Sequence, residues 1–198
     1  MTISSIIEQA ANSVLVPSAV KPPATEVVEA LLQTEKNART DKYSYSFEDL
    51  IGNWRLCFIT GTKKTRAKAG IVLGAGRYLP QLIKIELSYS PASVEVEKPD
   101  FQTGEIENRV TMGALKLVVS GPAKFVSKKN ILAFDFTRMT IQLWGVKLFS
   151  GYIRDGQAKE AEFYTQSVSK QAFFAYFFVS NKTIAARGRG GGLAIWGR

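Results

Sequence analysis

The sequence predicts a mainly β fold: an antiparallel lipocalin-like (calycin-type) barrel preceded by an N-terminal helical extension. Three observations carry this expectation. From Ile51 onward, apolar residues recur at every second position in short runs separated by turn residues, the pattern of strands with one buried face. Gly52-Asn53-Trp54 opens the first run, and Arg187-Gly188-Arg189-Gly190-Gly191-Gly192 separates the last two. A glycine that lets the chain enter closely, an indole that plugs one end and an arginine stacked on it suit a small closed barrel. Gly52, Trp54, Arg187 and Arg198 are therefore expected to be structural, with Arg187 or Arg198 against the Trp54 ring. A flattened two-sheet sandwich is the alternative architecture.

Residues 1–47 read as the helical extension and a linker. Ile3, Ile6, Ile7, Ala10 and Val14 fall on one helix face, and Pro17, Pro22 and Pro23 end it. Thr25 is the expected N-cap of a second short helix carrying Val27, Val28, Leu31 and Leu32, and residues 36–47 read as a polar link. Residues 48–198 form the barrel. After the strand at Trp54, Ile83, Ile85, Leu87 and Tyr89 share a face opposite Lys84, Glu86 and Ser88. Ile106, Asn108, Val110 and Met112 alternate with Glu105, Glu107, Arg109 and Thr111, and Leu115, Leu117 and Val119 follow a tight turn at Gly113. Further strands are expected over 131–137, 140–143, 146–152, 160–167, 173–179, 183–186 and 193–196. Turns are expected at Pro91, Pro99-Asp100, Gly121-Pro122, Lys129-Asn130, Gly145, Asp155-Gly156 and Asn181-Lys182.

Composition narrows the chemistry. With 45% hydrophobic and 22% charged residues in 198, the chain can bury a substantial core. No run approaches the length of a membrane-crossing helix. Histidine is absent and Cys57 is the only cysteine, which removes intramolecular disulfides, the usual zinc sites and Ser-His or Cys-His nucleophiles. Asp135, between Phe134 and Phe136, is expected to be a structural acid paired with Arg109 or Arg138. No catalytic residue, metal or cofactor is therefore expected. The N-terminus has no basic n-region and is too acidic for a transit peptide. Residues 1–50 carry four basic and seven acidic side chains and the remainder 22 and 10, so −3 stands against +12. A basic barrel points to an anionic surface as partner.

The segments Leu50-Ile51-Gly52-Asn53-Trp54-Arg55-Leu56, Arg77-Tyr78-Leu79-Pro80-Gln81 and Ala186-Arg187-Gly188-Arg189-Gly190-Gly191-Gly192-Leu193 resemble the plastid lipid-associated protein family, the plastid fibrillins of chloroplasts and cyanobacteria. The resemblance runs from about Leu50 to the C-terminus. It implies a non-enzymatic protein at the thylakoid periphery or at plastoglobules, with roles in lipid and prenylquinone homeostasis or photoprotection. The family usually has an acidic residue in the terminal hairpin, where this chain has Arg189, so no role resting on that acid carries over.

Two sets of candidate residues follow. Trp54, Leu56, Phe58, Ile83, Ile85, Leu117 and Phe177 are expected to face inward and to line a pocket for an apolar lipid, prenylquinone or carotenoid-like ligand. Lys63, Lys64, Arg66 and Lys68, beside Ile71, Val72 and Leu73, are expected to dock on an anionic membrane. Two other readings stand: a scaffold for a prenyl-synthesising enzyme, and a calycin-type phycobilin lyase, which would need basic groups inside its pocket. Gly61-Thr62-Lys63-Lys64-Thr65 lacks the spacing of a phosphate loop. The single Arg-Gly-Arg-Gly run, flanked by strand patterns, suits a hairpin better than a nucleic-acid-binding tail.

Overall fold

The alternating runs become strands of one sheet that closes on itself. A computed structural model describes residues 3–61, 76–92 and 100–198. Helices α1 (Ile3–Leu15) and α2 (Ala24–Asp41) precede strands β1 (Gly52–Ile59), β2 (Arg77–Tyr78), β3 (Ile83–Pro91), β4 (Gln102–Met112), β5 (Leu115–Val126), β6 (Ile131–Phe134), β7 (Arg138–Leu143) and β8 (Val146–Tyr152). Helix α3 (Gly156–Glu162) and strands β9 (Ala172–Val179), β10 (Thr183–Gly188) and β11 (Leu193–Gly197) complete the described elements. The order β4-β3-β1-β11-β10-β9-β6-β5, with β5 returning to β4, is a closed eight-stranded antiparallel barrel of lipocalin-like form. Closure leaves these strands without a bare edge. The β7–β8 hairpin hangs on β5 outside the ring, and β2 adds to the end of β1.

Strand parity divides the apolar residues into two layers. Trp54, Leu87, Tyr89, Ile106, Ala123, Phe125, Leu132, Phe134, Tyr176, Ile184 and Trp196 point inward and form the barrel core with Phe47 and Leu50. The opposite face of β1, β9, β10 and β11 meets α1 and α2 through Ile7, Ala10, Val14, Val27 and Leu31, which pack on Cys57, Phe58, Phe177, Ala185 and Ile195. Ile7, Val27 and Leu31 are fully buried. Each contributes about 1.5–3 kcal/mol from apolar burial, so the helices are fastened to the wall. The core reaches back to Phe47, one residue before the expected domain start, because its backbone N–H donates to Gln102 Oε1 at 2.8 Å and its ring packs on Tyr89 and Phe125. Gly104 lies beneath that ring; a Cβ there would come within 2.1 Å of it.

Several boundaries differ from the expected ones. Gly121-Pro122 is no turn: β5 runs through it as one strand. The strand changes outer neighbour at this point, pairing with β7 over Leu115–Ser120 and with β6 over Ala123–Val126. The missing proline N–H therefore falls where the outer ladder is interrupted. The expected strand over 131–137 breaks after Phe134 for the same reason. The expected strand over 160–167 is instead α3 and the turns after it, consistent with the good helix formers from Gln157 to Glu162. The expected link over 36–47 is helical as far as Asp41, and Lys42 ends α2 in the left-handed conformation. Pro23, not Thr25, is the residue before α2.

Candidate functional site

One end of the barrel is plugged. Trp54 is fully buried, and its indole N–H donates to the Leu50 carbonyl at 2.7 Å. The arginine on its face is Arg198, with the guanidinium carbon 4.1 Å from the ring centroid. Arg198 also donates to the carbonyls of Ile51 (3.0 Å) and Asn181 (2.7 Å), tying the last residue to the strand entrances. Gly52 has φ +126°, a region closed to side-chain-bearing residues, and a Cβ there would meet Arg198 Nη1 at 2.6 Å. Above the plug the core is aromatic: Phe174 meets Phe134 and Trp196 at 4.9 and 5.3 Å between centroids. One polar pair interrupts it, the Tyr89 and Tyr176 hydroxyls 2.5 Å apart. Burial drives both phenols well above their ordinary range.

Arg187 has a different task. Its Nε donates to Glu35 Oε1 at 2.7 Å, its Nη2 to Glu35 Oε2, and its Nη1 to the Gly191 carbonyl at 2.6 Å. Arg39 donates to the same carboxylate at 2.9 Å. Burial works to raise the Glu35 pKa, but Arg187 and then Arg39 outweigh it and hold the carboxyl below its usual value. The glycine-rich hairpin is thereby clamped to α2. Arg189 donates to the Gln171 carbonyl at 2.8 Å, on the other side of the hairpin.

At the end opposite the plug, the wall continues past the ring. The β3, β4, β5, β7 and β8 registers align side chains into rows. Ile85, Val110, Leu117, Ile141 and Phe149 make one row on the face continuous with the barrel interior. Ile83, Met112, Leu115, Leu143 and Val146 make the next, at the hairpin tips. At ordinary strand spacing the five strands span roughly 19 Å. Inside the ring Leu87, Tyr89, Ile106, Ala123 and Phe125 on this face are buried, whereas in the projecting rows the side chains are half-buried or exposed. The reverse face is polar: Lys84, Thr111, Lys116, Gln142 and Lys147 share its outermost row. The backbone N–H of Trp144 donates to the Ala114 carbonyl at 3.1 Å and holds the two hairpin tips together.

The candidate pocket residues therefore divide three ways. Trp54 and Leu56 belong with the barrel core. Ile83, Ile85 and Leu117 lie on the projecting apolar face, where the structure does bring them together. Phe58 and Phe177 do not face inward: both sit in the layer under the helices. Register shifts in β1 between Leu56 and Phe58, and in the β9–β10 pairing beside Ala185/Ala186, alter the parity that would point them inside. Lys63, Lys64, Arg66 and Lys68 lie outside the described residues. The carboxylate partner of Arg138 is Glu160 of α3 at 2.8 Å and that of Arg109 is Glu107 at 2.6 Å, in place of the expected Asp135.

The tip residues Trp144, Val146 and Leu148 escaped sequence reasoning, although a signal existed. Leu143-Trp144-Gly145-Val146 is an apolar turn where turn chemistry calls for polar residues. The outer wall also carries several clefts. One of about 480 Å³ between β4, β5 and α3 is lined by Glu105, Arg138, Glu160 and Tyr164. Another of about 470 Å³, near the plugged end, includes Lys42, Lys128, Lys129 and Tyr43. Cys57 is buried, which pushes its thiol up to about 12. Comparison of the chain with protein-family models, with curated proteins and with solved structures finds no match.

Proposed function

We propose that this protein is a non-enzymatic lipid- or isoprenoid-binding barrel of the plastid lipid-associated (fibrillin) kind. It would take part in lipid and prenylquinone homeostasis at thylakoid or plastoglobule-type membranes of a chloroplast or cyanobacterium. The observation that carries this reading is the apolar face that leaves the barrel at the end opposite Trp54. The rows through Ile83 and Ile85 offer dispersion and apolar burial, and no charged group stands among them. Such a face suits an acyl or prenyl chain and gives nothing to a polar metabolite. It also disfavours the bilin-lyase reading, which needs inward cations for propionates. The test is organic extraction and native mass spectrometry of protein purified from its own cells, followed by titration with a plastoquinone analogue. Bound prenyl or acyl lipid, with quenching of tryptophan emission, supports the reading. A lipid-free preparation with a flat titration overturns it.

A second reading has one observation in its favour. The plugged half of the interior is filled by Phe47, Tyr89, Phe125, Leu132, Phe134 and Tyr176, as in small barrels that hold no ligand. On that reading the protein is a scaffold for a prenyl-synthesising enzyme. The same lipid-free result, with co-purification of such an enzyme, supports it.

A further inference from the structure

Among the described residues, most of the exposed large apolar side chains lie at the end opposite the plug, on the hairpin tips and just before β3. Leu82 is 86% exposed, Trp144 82% and Val146 62%, with Met112 and Leu148 close behind. Trp144 and Gly145 both have positive φ, 53° and 80°, the two-residue turn that matches strand twist. A bulky residue is disfavoured in that conformation, and here it gains no packing in return. The backbone bond to Ala114 supports the turn, but the exposed indole is covered by nothing in the chain, and its apolar surface is left for something outside it.

The charge pattern says what that something is. Directly behind the apolar tip row lies the row of Lys84, Lys116 and Lys147, which contains no carboxylate. Glu86 and Glu107 stand further from the tips and form ion pairs with Lys84 (2.8 Å) and Arg109. Aliphatic and indole groups at the leading edge, with lysines one step behind, match the order of layers in a bilayer surface: acyl boundary, then anionic headgroups. A second copy of the chain fits less well. The outer strand β8 carries Lys147, and its pairing with β7 slips so that Leu148 has no partner, both of which discourage edge-to-edge strand addition.

We propose that the β4–β5 and β7–β8 tips insert into the surface of a bilayer containing anionic lipid, with Lys84, Lys116 and Lys147 against the headgroups. The inference rests on reading the protein as a lipid-binding barrel, and adds which surface meets the membrane. It places the projecting apolar face at the bilayer, where a chain can pass from lipid to protein without crossing water.

Flotation with vesicles of phosphatidylglycerol and phosphatidylcholine, in roughly a 1:3 ratio, tests it. Wild-type protein is expected to float with these vesicles and not with pure phosphatidylcholine, and about 1 M salt should release it. Trp144→Ser with Val146→Ser should lower partitioning at least about tenfold. Lys84→Gln, Lys116→Gln and Lys147→Gln together should lower it about a hundredfold at low salt. Lys128→Gln with Lys129→Gln, at the plugged end, should leave it unchanged. Thermal midpoints confirm that each variant is folded. Tip variants that float like wild type overturn the proposal. A wild-type dimer that ignores vesicles and dissociates on Trp144→Ser also overturns it, in favour of a second copy. The organic extract reads the bound lipid separately, so docking can fail while ligand binding stands, and the reverse.

Discussion

Replacing Glu35 by glutamine tests the clamp between α2 and the terminal hairpin. Glu35 accepts two bonds from Arg187 and one from Arg39, and its side chain is 11% exposed. Removing one member of a buried pair costs about 3–5 kcal/mol, because the other charge is left without its counterpart. The Arg187 side chain is 28% exposed and keeps the Gly191 carbonyl, so water recovers part of that, leaving about 2 kcal/mol. With a urea m-value near the upper end for small proteins, about 2–3 kcal/mol/M, the midpoint should fall by roughly 0.7–1 M at pH 7. The pH dependence has a definite sign. The folded pKa of Glu35 is below its ordinary 4.5, so the clamp contributes fully above the unfolded value and is lost as pH falls through the folded one. The difference between wild type and Glu35→Gln should therefore narrow as pH falls below the ordinary 4.5 and through the lowered folded value. Tryptophan-monitored urea unfolding at pH 7 and pH 3 measures both. A midpoint shift under about 0.2 M at pH 7, or a gap that persists unchanged at pH 3, would refute the argument.

Trp54→Ala removes a fully buried indole, its bond to Leu50 and the surface on which Arg198 stacks. It should destabilise by about 3–5 kcal/mol in the same assay, and a loss under about 1 kcal/mol would mean that the plug bears little of the fold's stability. Cys57, buried and with its thiol pushed up to about 12, should resist a thiol reagent at pH 8 and react at the rate of unfolding. Rapid labelling of folded protein would contradict that.

Much of the barrel was legible in the residues. Period-two alternation marks β3 and β4, short apolar runs between turn residues mark β9, β10 and β11, and the Gly-x-Trp marks a plugged end with Arg187 or Arg198 on its ring, a choice that depends on the hairpin register. Parity failed where one residue slips. The bulge after Leu56 sends Phe58 to the helix layer, and an alternation count contains no mark of it. Pro122 read as a turn because a proline in a central strand is normally excluded; only the exchange of β6 for β7 beside β5 makes it tolerable. For the candidate site, Ile83, Ile85 and Leu117 were identified as facing one way, but whether that face lies inside the ring or beyond it depends on strand lengths. These are fixed by long-range pairing that no local window contains.

The position of α1 has a consequence for how the molecule assembles. The β4–β5 hairpin joins neighbours in sequence and can zip early, whereas the β1–β11 pair joins Arg55 to Gly197 and must await almost the whole chain. Loop-closure entropy makes that seam the slow event, and we expect it to form last. Helix α1 lies across it: a Cβ on Gly197 would come within about 3.0 Å of Leu15 Cδ1 and Ala11 Cβ. Ala11 and Val14 also share the layer with Cys57 and Ile195 from the two sides of the seam. The first residues of the chain thus act as a latch on its last strand. A nascent chain holds that latch ready long before there is anything to fasten, and the ring locks only when Ile195 and Gly197 arrive beneath it.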